Sequence, residues 1–123
     1  MDVLLDTNFS ISCIIKRIDF IEELESLGFK IKVPRGVLQE MKDLRKEDKT
    51  THKERQAIDA ASTLLRESKI KIVKVGGRYV DEGLIQKGKQ GIYIATLDRE
   101  IKNQVPNKVV IDSARKSIKI ERD

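Results

Sequence analysis

Apolar positions along this chain change their period again and again, and each change marks a switch between strand and helix. Val3-Leu4-Leu5 is a short continuous apolar run, as expected of a strand buried on both faces, and Asp6-Thr7-Asn8 behind it offers helix N-cap chemistry. A helix is predicted from Phe9 to Ile15; Ile18, Ile21, Leu24 and Leu27 then recur at three-residue spacing until Gly28, a C′ stop. Phe29 to Val33 alternates strictly and predicts a strand, and Pro34 suits the first turn of the next helix. That helix sets Val37, Leu38, Met41 and Leu44 on one stripe. Glu40 lies about 60° round from Val37 at the stripe's border, half in and half out.

Ala57, Ile58, Ala61, Leu64 and Leu65 form the apolar face of a further helix, and Ile70 to Val73 predicts a third strand. Gly76-Gly77 breaks the pattern as a turn. A short helix beginning near Val80 carries Leu84 and Ile85 inward; the strand Ile92 to Ala95, a helix from Asp98 to Gln104 and the strand Val109 to Ile111 follow. Ser117 to Ile120 suits a last edge strand whose charges discourage aggregation, and no chemistry attaches to it. The charged stretch Arg45 to Arg55 reads either as a substrate arm or as a solvated hairpin between helices, with the hairpin preferred.

Alternation of this kind predicts an α/β three-layer sandwich: a mostly parallel central sheet of about five strands, helices on both faces and right-handed crossovers. At 123 residues, without repeat or linker, residues 1–123 are expected to form one domain. In open sheets of this type a ligand sits outside the carboxyl ends of the strands.

Composition narrows the chemistry. The single cysteine, Cys13, sits among Ile11, Ile14 and Ile15, which excludes a disulfide framework or a multi-cysteine zinc site and points to a core position in a reducing cytoplasm. The N-terminus lacks a secretory pattern and no apolar run approaches the roughly 20 residues needed to span a bilayer, so a soluble, unsecreted protein is expected. His52, the only histidine, lies in the charged stretch, which disfavours Ser/His/Asp or Cys/His catalysis. Neither GxGxxG nor GxxxxGK[ST] is present. Tyr79, Tyr93, Phe9, Phe20 and Phe29 are too few and too apolar in context for a base-stacking platform and are expected in the core.

Acidic residues change the picture most. Asp6, Glu40, Asp81 and Asp98 each stand near the beginning or end of a predicted element, on the rim where the strands end. Taken singly, Asp6 and Asp98 are explained as helix caps, Asp81 as a first-turn dipole partner and Glu40 as a surface residue. Brought together, they would cost stability unless a cation neutralised them, and hard oxygen donors suit Mg²⁺. Removing their four negative charges from the net +5 leaves the rest of the chain at +9, a positive rim around a negative pocket that fits a polyanion. Asn8 and Thr96 add neutral oxygens beside the outer two acids, suited to hold a water or an acid in place.

Four ordered segments carry a family resemblance: Leu4-Leu5-Asp6-Thr7-Asn8-Phe9, Val33-Pro34-Arg35-Gly36-Val37-Leu38-Gln39-Glu40-Met41, Tyr79-Val80-Asp81-Glu82-Gly83-Leu84-Ile85 and Ile94-Ala95-Thr96-Leu97-Asp98-Arg99-Glu100. Together they resemble the PIN-domain family over about Val3 to Ile111. Within it the likeness is greatest to archaeal single-domain members similar to the small-subunit processome nuclease of ribosome assembly, with VapC-type toxins more distant.

The resemblance implies a metal-dependent endoribonuclease with Asp6, Glu40, Asp81 and Asp98 around Mg²⁺ or Mn²⁺. Where similar members have paired aspartates this chain has Asp81-Glu82, and Asp81, the unchanged member, is favoured as the ligand. Arg35, Lys42, Arg78, Arg99 and Lys102, close in sequence to the acids, are candidates to contact phosphates. RNA is the expected partner, in the setting of a ribosomal-subunit precursor or of an antitoxin protein, with a homodimer left open and no membrane partner. Two rivals stand beside this reading. One is a PIN fold serving as a non-catalytic RNA- or protein-binding scaffold; the other is an aspartyl-phosphate phosphatase, disfavoured because Asn8 stands where a second acid is needed.

Overall fold

The computed structural model describes residues 1–67 and 70–123. Its elements run β1 (Asp2–Leu5), α1 (Thr7–Ile15), α2 (Phe20–Ser26), β2 (Lys30–Pro34), α3 (Arg35–Lys46), α4 (His52–Glu67), β3 (Lys71–Val73), α5 (Val80–Lys89), β4 (Tyr93–Ala95), α6 (Arg99–Lys102), β5 (Asn107–Asp112) and β6 (Ser117–Arg122). They build one sheet in the order β3-β2-β1-β4-β5-β6, parallel throughout except for β6, which returns antiparallel along β5. The sheet has six strands where about five were expected, because the charged tail completes it as an edge.

Side-chain alternation along the central strands divides the core into two. Val3 and Leu5 of β1, with Tyr93 and Ala95 of β4, face a large cluster under α1 to α4; Leu4 and Ile94 face a smaller one closed by Leu84 of α5, Ile101 of α6 and Val105. Helices therefore cover both faces. This is why the central strands read as continuous apolar runs rather than as alternating ones.

The helix predicted from Phe9 to Ile15 is α1, and residues 16–19 separate it from α2. Arg17 takes a left-handed backbone (φ 58°) and Asp19 restarts the helix, its carboxylate accepting from the Glu22 amide at 3.2 Å. Gly28 ends α2 with φ 90°, as the C′ reading required. Pro34 closes β2 and caps α3 from outside rather than entering its first turn. The stretch Arg45 to Arg55 is divided between the end of α3, a short hairpin and the start of α4. Inside the hairpin the buried Thr50 hydroxyl donates to the Leu44 carbonyl (2.6 Å), and Arg55 donates to the Arg45 and Glu47 carbonyls. Cys13 is buried, and burial pushes its thiol up to about 12. Tyr93, Phe9, Phe20 and Phe29 lie in the core; Tyr79, expected there, is 65% exposed. No helix among the described residues is long and apolar enough to cross a membrane.

Two glycines seat α5. A methyl group at Gly83 would overlap the Gly76 carbonyl oxygen and the Val75 side chain, and one at Gly36 would overlap Val80. The start of α5 is thereby drawn in against both α3 and the 75–77 segment.

Candidate active site

Each acid of interest arrives from a different element. Asp6 follows β1 and is the N-cap of α1; Glu40 lies midway along α3; Asp81 is in the first turn of α5; Asp98 follows β4 and is the N-cap of α6. Since β1 and β4 are adjacent and parallel, Asp6 and Asp98 emerge at the same carboxyl edge. The first turns of α3 and α5 approach that edge across the Gly36–Val80 contact. All four acids line one cavity of about 340 Å³, together with Thr7, Asn8, Asp43, Leu44 and Glu47. Capping and clustering prove compatible: Asp6 Oδ1 accepts from the Thr7 amide (2.8 Å) and Asp98 Oδ1 from the Glu100 amide (2.8 Å).

Two threonines tie the acids to one another. The wholly buried Thr96 hydroxyl donates to Asp6 Oδ2 (2.7 Å) and accepts from the Asp98 amide (3.0 Å), so one side chain sets both strand-end acids. Thr7 is buried at the first position of α1, where its hydroxyl donates to Glu40 Oε1 at 2.5 Å. Through that contact α3 is fastened to the end of β1. Among the described residues Asp81 has no such tether: burial and the Asp98 charge act on its carboxyl.

The electrostatics are those of crowded, partly dehydrated anions. Burial, opposed by the hydrogen bonds from Thr96 and Thr7 and reinforced by Asp81 and Asp98, holds the Asp6 carboxyl above the usual range. Burial raises Glu40 too, opposed by the Thr7 hydroxyl and reinforced by Asp6, Asp81 and Asp43; burial first and Asp98 second raise Asp81. Six acids line the cavity and no lysine or arginine does among the described residues. The carboxylates are spread along the wall: among the described residues no three acidic, histidine or cysteine side chains stand close enough to hold a metal ion as they are placed. The donor set nevertheless fits a hard divalent cation, being all oxygen and short of positive charge.

The remaining candidates divide. Asn8 lines the cavity. Glu82 does not; its carboxylate accepts from the Arg78 amide (2.8 Å) and closes the turn before α5. Arg35, Lys42 and Arg78 line a separate groove on the other flank of α3, and Arg99 and Lys102 lie on α6 outside both. Three wall residues had not been singled out. Thr7 was signalled only by a hydroxyl placed directly after a capping acid. Asp43 and Glu47 recur three and seven residues after Glu40, within about 60° of it on the same helix face.

A three-layer α/β fold with an acid-lined cavity where its parallel strands end is the arrangement that the resemblance to the PIN-domain family implied. The chain belongs to that family: the model described as PIN like domain matches residues 3–113. Among solved structures, the PIN domain endonuclease Utp24 superposes with a TM-score of 0.75 at 20% identity, covering 99% of this chain and 92% of that one. VapBC2 from Rickettsia felis, bound to a DNA fragment from its promoter, superposes with a TM-score of 0.53 at 15% identity, covering 85% and 93%. No curated protein sequence matches the chain.

Proposed function

We propose that this protein is a Mg²⁺- or Mn²⁺-dependent endoribonuclease that hydrolyses RNA phosphodiesters at the acidic cavity. The observation that carries the reading is the meeting of Asp6, Glu40, Asp81 and Asp98, from four separate elements, in one cavity that no cationic side chain lines among the described residues. A bound divalent ion supplies positive charge for the phosphate oxygens and makes water a stronger nucleophile.

Asp6 and Asp98 would hold the ion, since the Thr96 hydroxyl already orients one and receives the amide of the other. Asp81, which no hydrogen bond restrains among the described residues, would be a further ligand for the ion or would orient the attacking water. Glu40, with its pKa raised, accepts the water's proton or serves a second ion; Thr7 holds one of its oxygens and leaves the other to act. Asn8, on the cavity wall, would hold a water there. Attack by the water oxygen on phosphorus would break the bond to one ribose oxygen, which takes up a proton from solvent and leaves as a hydroxyl on one fragment while the phosphate stays on the other.

RNA cleavage assayed with Mn²⁺ and with EDTA, beside the Asp6→Asn protein, tests this. Cleavage only by the unmutated protein, and only with Mn²⁺, is expected; undiminished cleavage by Asp6→Asn would refute it. The setting is either maturation of a ribosomal-subunit precursor or a VapC-like toxin countered by an antitoxin, and co-sedimentation with ribosomal subunits favours the former. One observation supports the scaffold reading instead, namely that the carboxylates have not converged to ligand spacing. Absence of cleavage of every RNA offered, with RNA still bound, would establish that alternative.

A further inference from the structure

Asp6, Glu40 and Asp98 each accept a hydrogen bond on the carboxylate itself, from the Thr96 hydroxyl, the Thr7 hydroxyl and the Glu100 amide. Among the described residues the Asp81 carboxyl has no such partner, so where it points follows from how the first turn of α5 is seated. That turn is held on both sides. Val80 sits against Gly36, one turn before Glu40 on α3, closely enough that a methyl group on Gly36 would overlap its side chain. The Gly83 amide donates to the Tyr79 carbonyl (3.2 Å), and Gly83 lies against the Gly76 carbonyl oxygen. Asp81 and Glu82 stand between these two contacts.

Glu82 closes the turn with its own side chain, its Oε2 accepting from the Arg78 amide at 2.8 Å. Tyr79, the N-cap residue of α5, offers no side-chain cap, so the acceptor comes from inside the helix instead. Gly77, with φ 90°, packs on the Glu82 stem: a methyl carbon there would come within 2.9 Å of the Glu82 Cβ. Consecutive helical residues point about 100° apart, so Glu82 faces the turn while Asp81 faces the acidic cavity. Stem length matters here. An aspartate at this position would fall about 1.5 Å short and leave the Arg78 amide beyond hydrogen-bond range.

We propose that Glu82 is a positioning residue for Asp81: by accepting the Arg78 amide it closes residues 78–82 into a cap that keeps Asp81 turned toward the acidic cavity, and it touches neither the ion nor the RNA. Resting on the nuclease reading, this gives Glu82 the part that Thr96 plays for Asp6 and Thr7 for Glu40, acting through the backbone instead of on the carboxylate. The role needs an acceptor oxygen at the right reach, whereas a metal ligand needs the negative charge. A glutamine keeps the first and gives up the second. Glu82 is exposed, so removing its acceptor loosens the turn while sparing the core.

Measurements without RNA separate this proposal from the nuclease reading. Calorimetric Mn²⁺ titrations would compare the unmutated protein with Glu82→Gln, Glu82→Ala, Asp81→Asn and the last two combined. Glu82→Ala is expected to weaken Mn²⁺ binding about tenfold, and Glu82→Gln to bring affinity back to within about twofold. In the Asp81→Asn background Glu82→Ala should have no further effect, because it acts through the side chain already changed. In EDTA, hydrogen exchange at the Arg78 amide should be slow in the unmutated and Glu82→Gln proteins and faster in Glu82→Ala, with the amides of β1 unchanged. Equal losses of Mn²⁺ affinity in Glu82→Gln and Glu82→Ala would overturn the proposal, as would undiminished binding by Glu82→Ala or a loss that persists in the Asp81→Asn background. Should Glu82→Ala not fold, Glu82→Asp takes its place in every comparison with the same expectation. If the Mn²⁺ and exchange results hold but no RNA is cut, the role of Glu82 stands and the nuclease reading falls. If the unmutated protein cuts RNA with Mn²⁺ while Glu82→Ala binds the ion normally, the reverse is true, and an unmutated protein that binds no Mn²⁺ overturns both.

Discussion

Helix α3 has the acidic cavity on one flank and the basic groove on the other, yet the side chains facing each are held in different ways. On the acidic flank Asp6 is 7% exposed, and Thr7 and Thr96, both buried, lock its carboxylate and that of Glu40 through defined hydrogen bonds. On the basic flank Arg35, Lys42, Lys74 and Arg78 end in water on long stems. Under the proposed function, the tethered acids would offer a cation a fixed field, and the solvent-exposed bases would offer a polyanion an adaptable one. The rigid half suits chemistry and the mobile half suits capture.

Substitutions can break this contrast at its seam or on either side. The largest effect is expected at Gly83, where the new methyl group of Gly83→Ala meets the Gly76 carbonyl and prises α5 from the segment that carries Lys74 and Arg78. Chemical denaturation should show a loss of about 3 kcal/mol, and both flanks should suffer together. Thr96→Val keeps the shape of the side chain but leaves Asp6 Oδ2 buried without its donor. A stability loss of about 1–3 kcal/mol and a fall in cleavage of about 10–100-fold are expected, with RNA binding in EDTA unaffected.

Arg35→Gln with Lys42→Gln should do the opposite, changing stability by no more than about 0.5 kcal/mol while weakening RNA binding in EDTA. A fall in thermal stability as large as that of Thr96→Val would show that the groove is structural after all. The smallest effect is expected from Asp81→Asn. Folding raises the Asp81 pKa, so the folded chain binds that proton more tightly than the unfolded chain does. Its charge is therefore without cost below the unfolded carboxylate range near about 4 and destabilising once pH rises through the raised folded value. In EDTA, Asp81→Asn should melt slightly higher than the unmutated protein at neutral pH, and melting curves recorded below about pH 4 should coincide. A lower melting point at neutral pH would mean that Asp81 is held by an attraction rather than strained by its neighbours.

The two flanks were also unequally legible in the sequence. Strand–helix alternation was readable because most elements bury a face and so keep a strict period, and the acids were readable because three of them flank those elements and Glu40 borders an apolar stripe. Where periodicity stops, so did the reading. Ile18, Ile21, Leu24 and Leu27 share a three-residue spacing, but Asp19 caps a new helix that starts at Phe20, so Ile18 lies outside it. Tyr79, between Arg78 and Val80, looked like core because a turn carries no facial period, and only the close seating of α5 leaves its ring outside. Thr7 acts across 33 residues on Glu40, a pairing that no local pattern records. The basic residues were found by their nearness in sequence to the acids, whereas helical geometry sends Lys42 to the other side of α3 from Glu40.

If Asp6, Glu40, Asp81 and Asp98 act as one cation-binding unit, Mn²⁺ must stabilise the folded chain. Thermal unfolding followed over a Mn²⁺ titration should show a melting point that climbs with concentration, equivalent to about 2.7 kcal/mol at a hundredfold excess over the dissociation constant. The climb should vanish in a variant carrying both Asp6→Asn and Asp98→Asn. A flat titration for the unmutated protein, or an equal climb in the double variant, would contradict it.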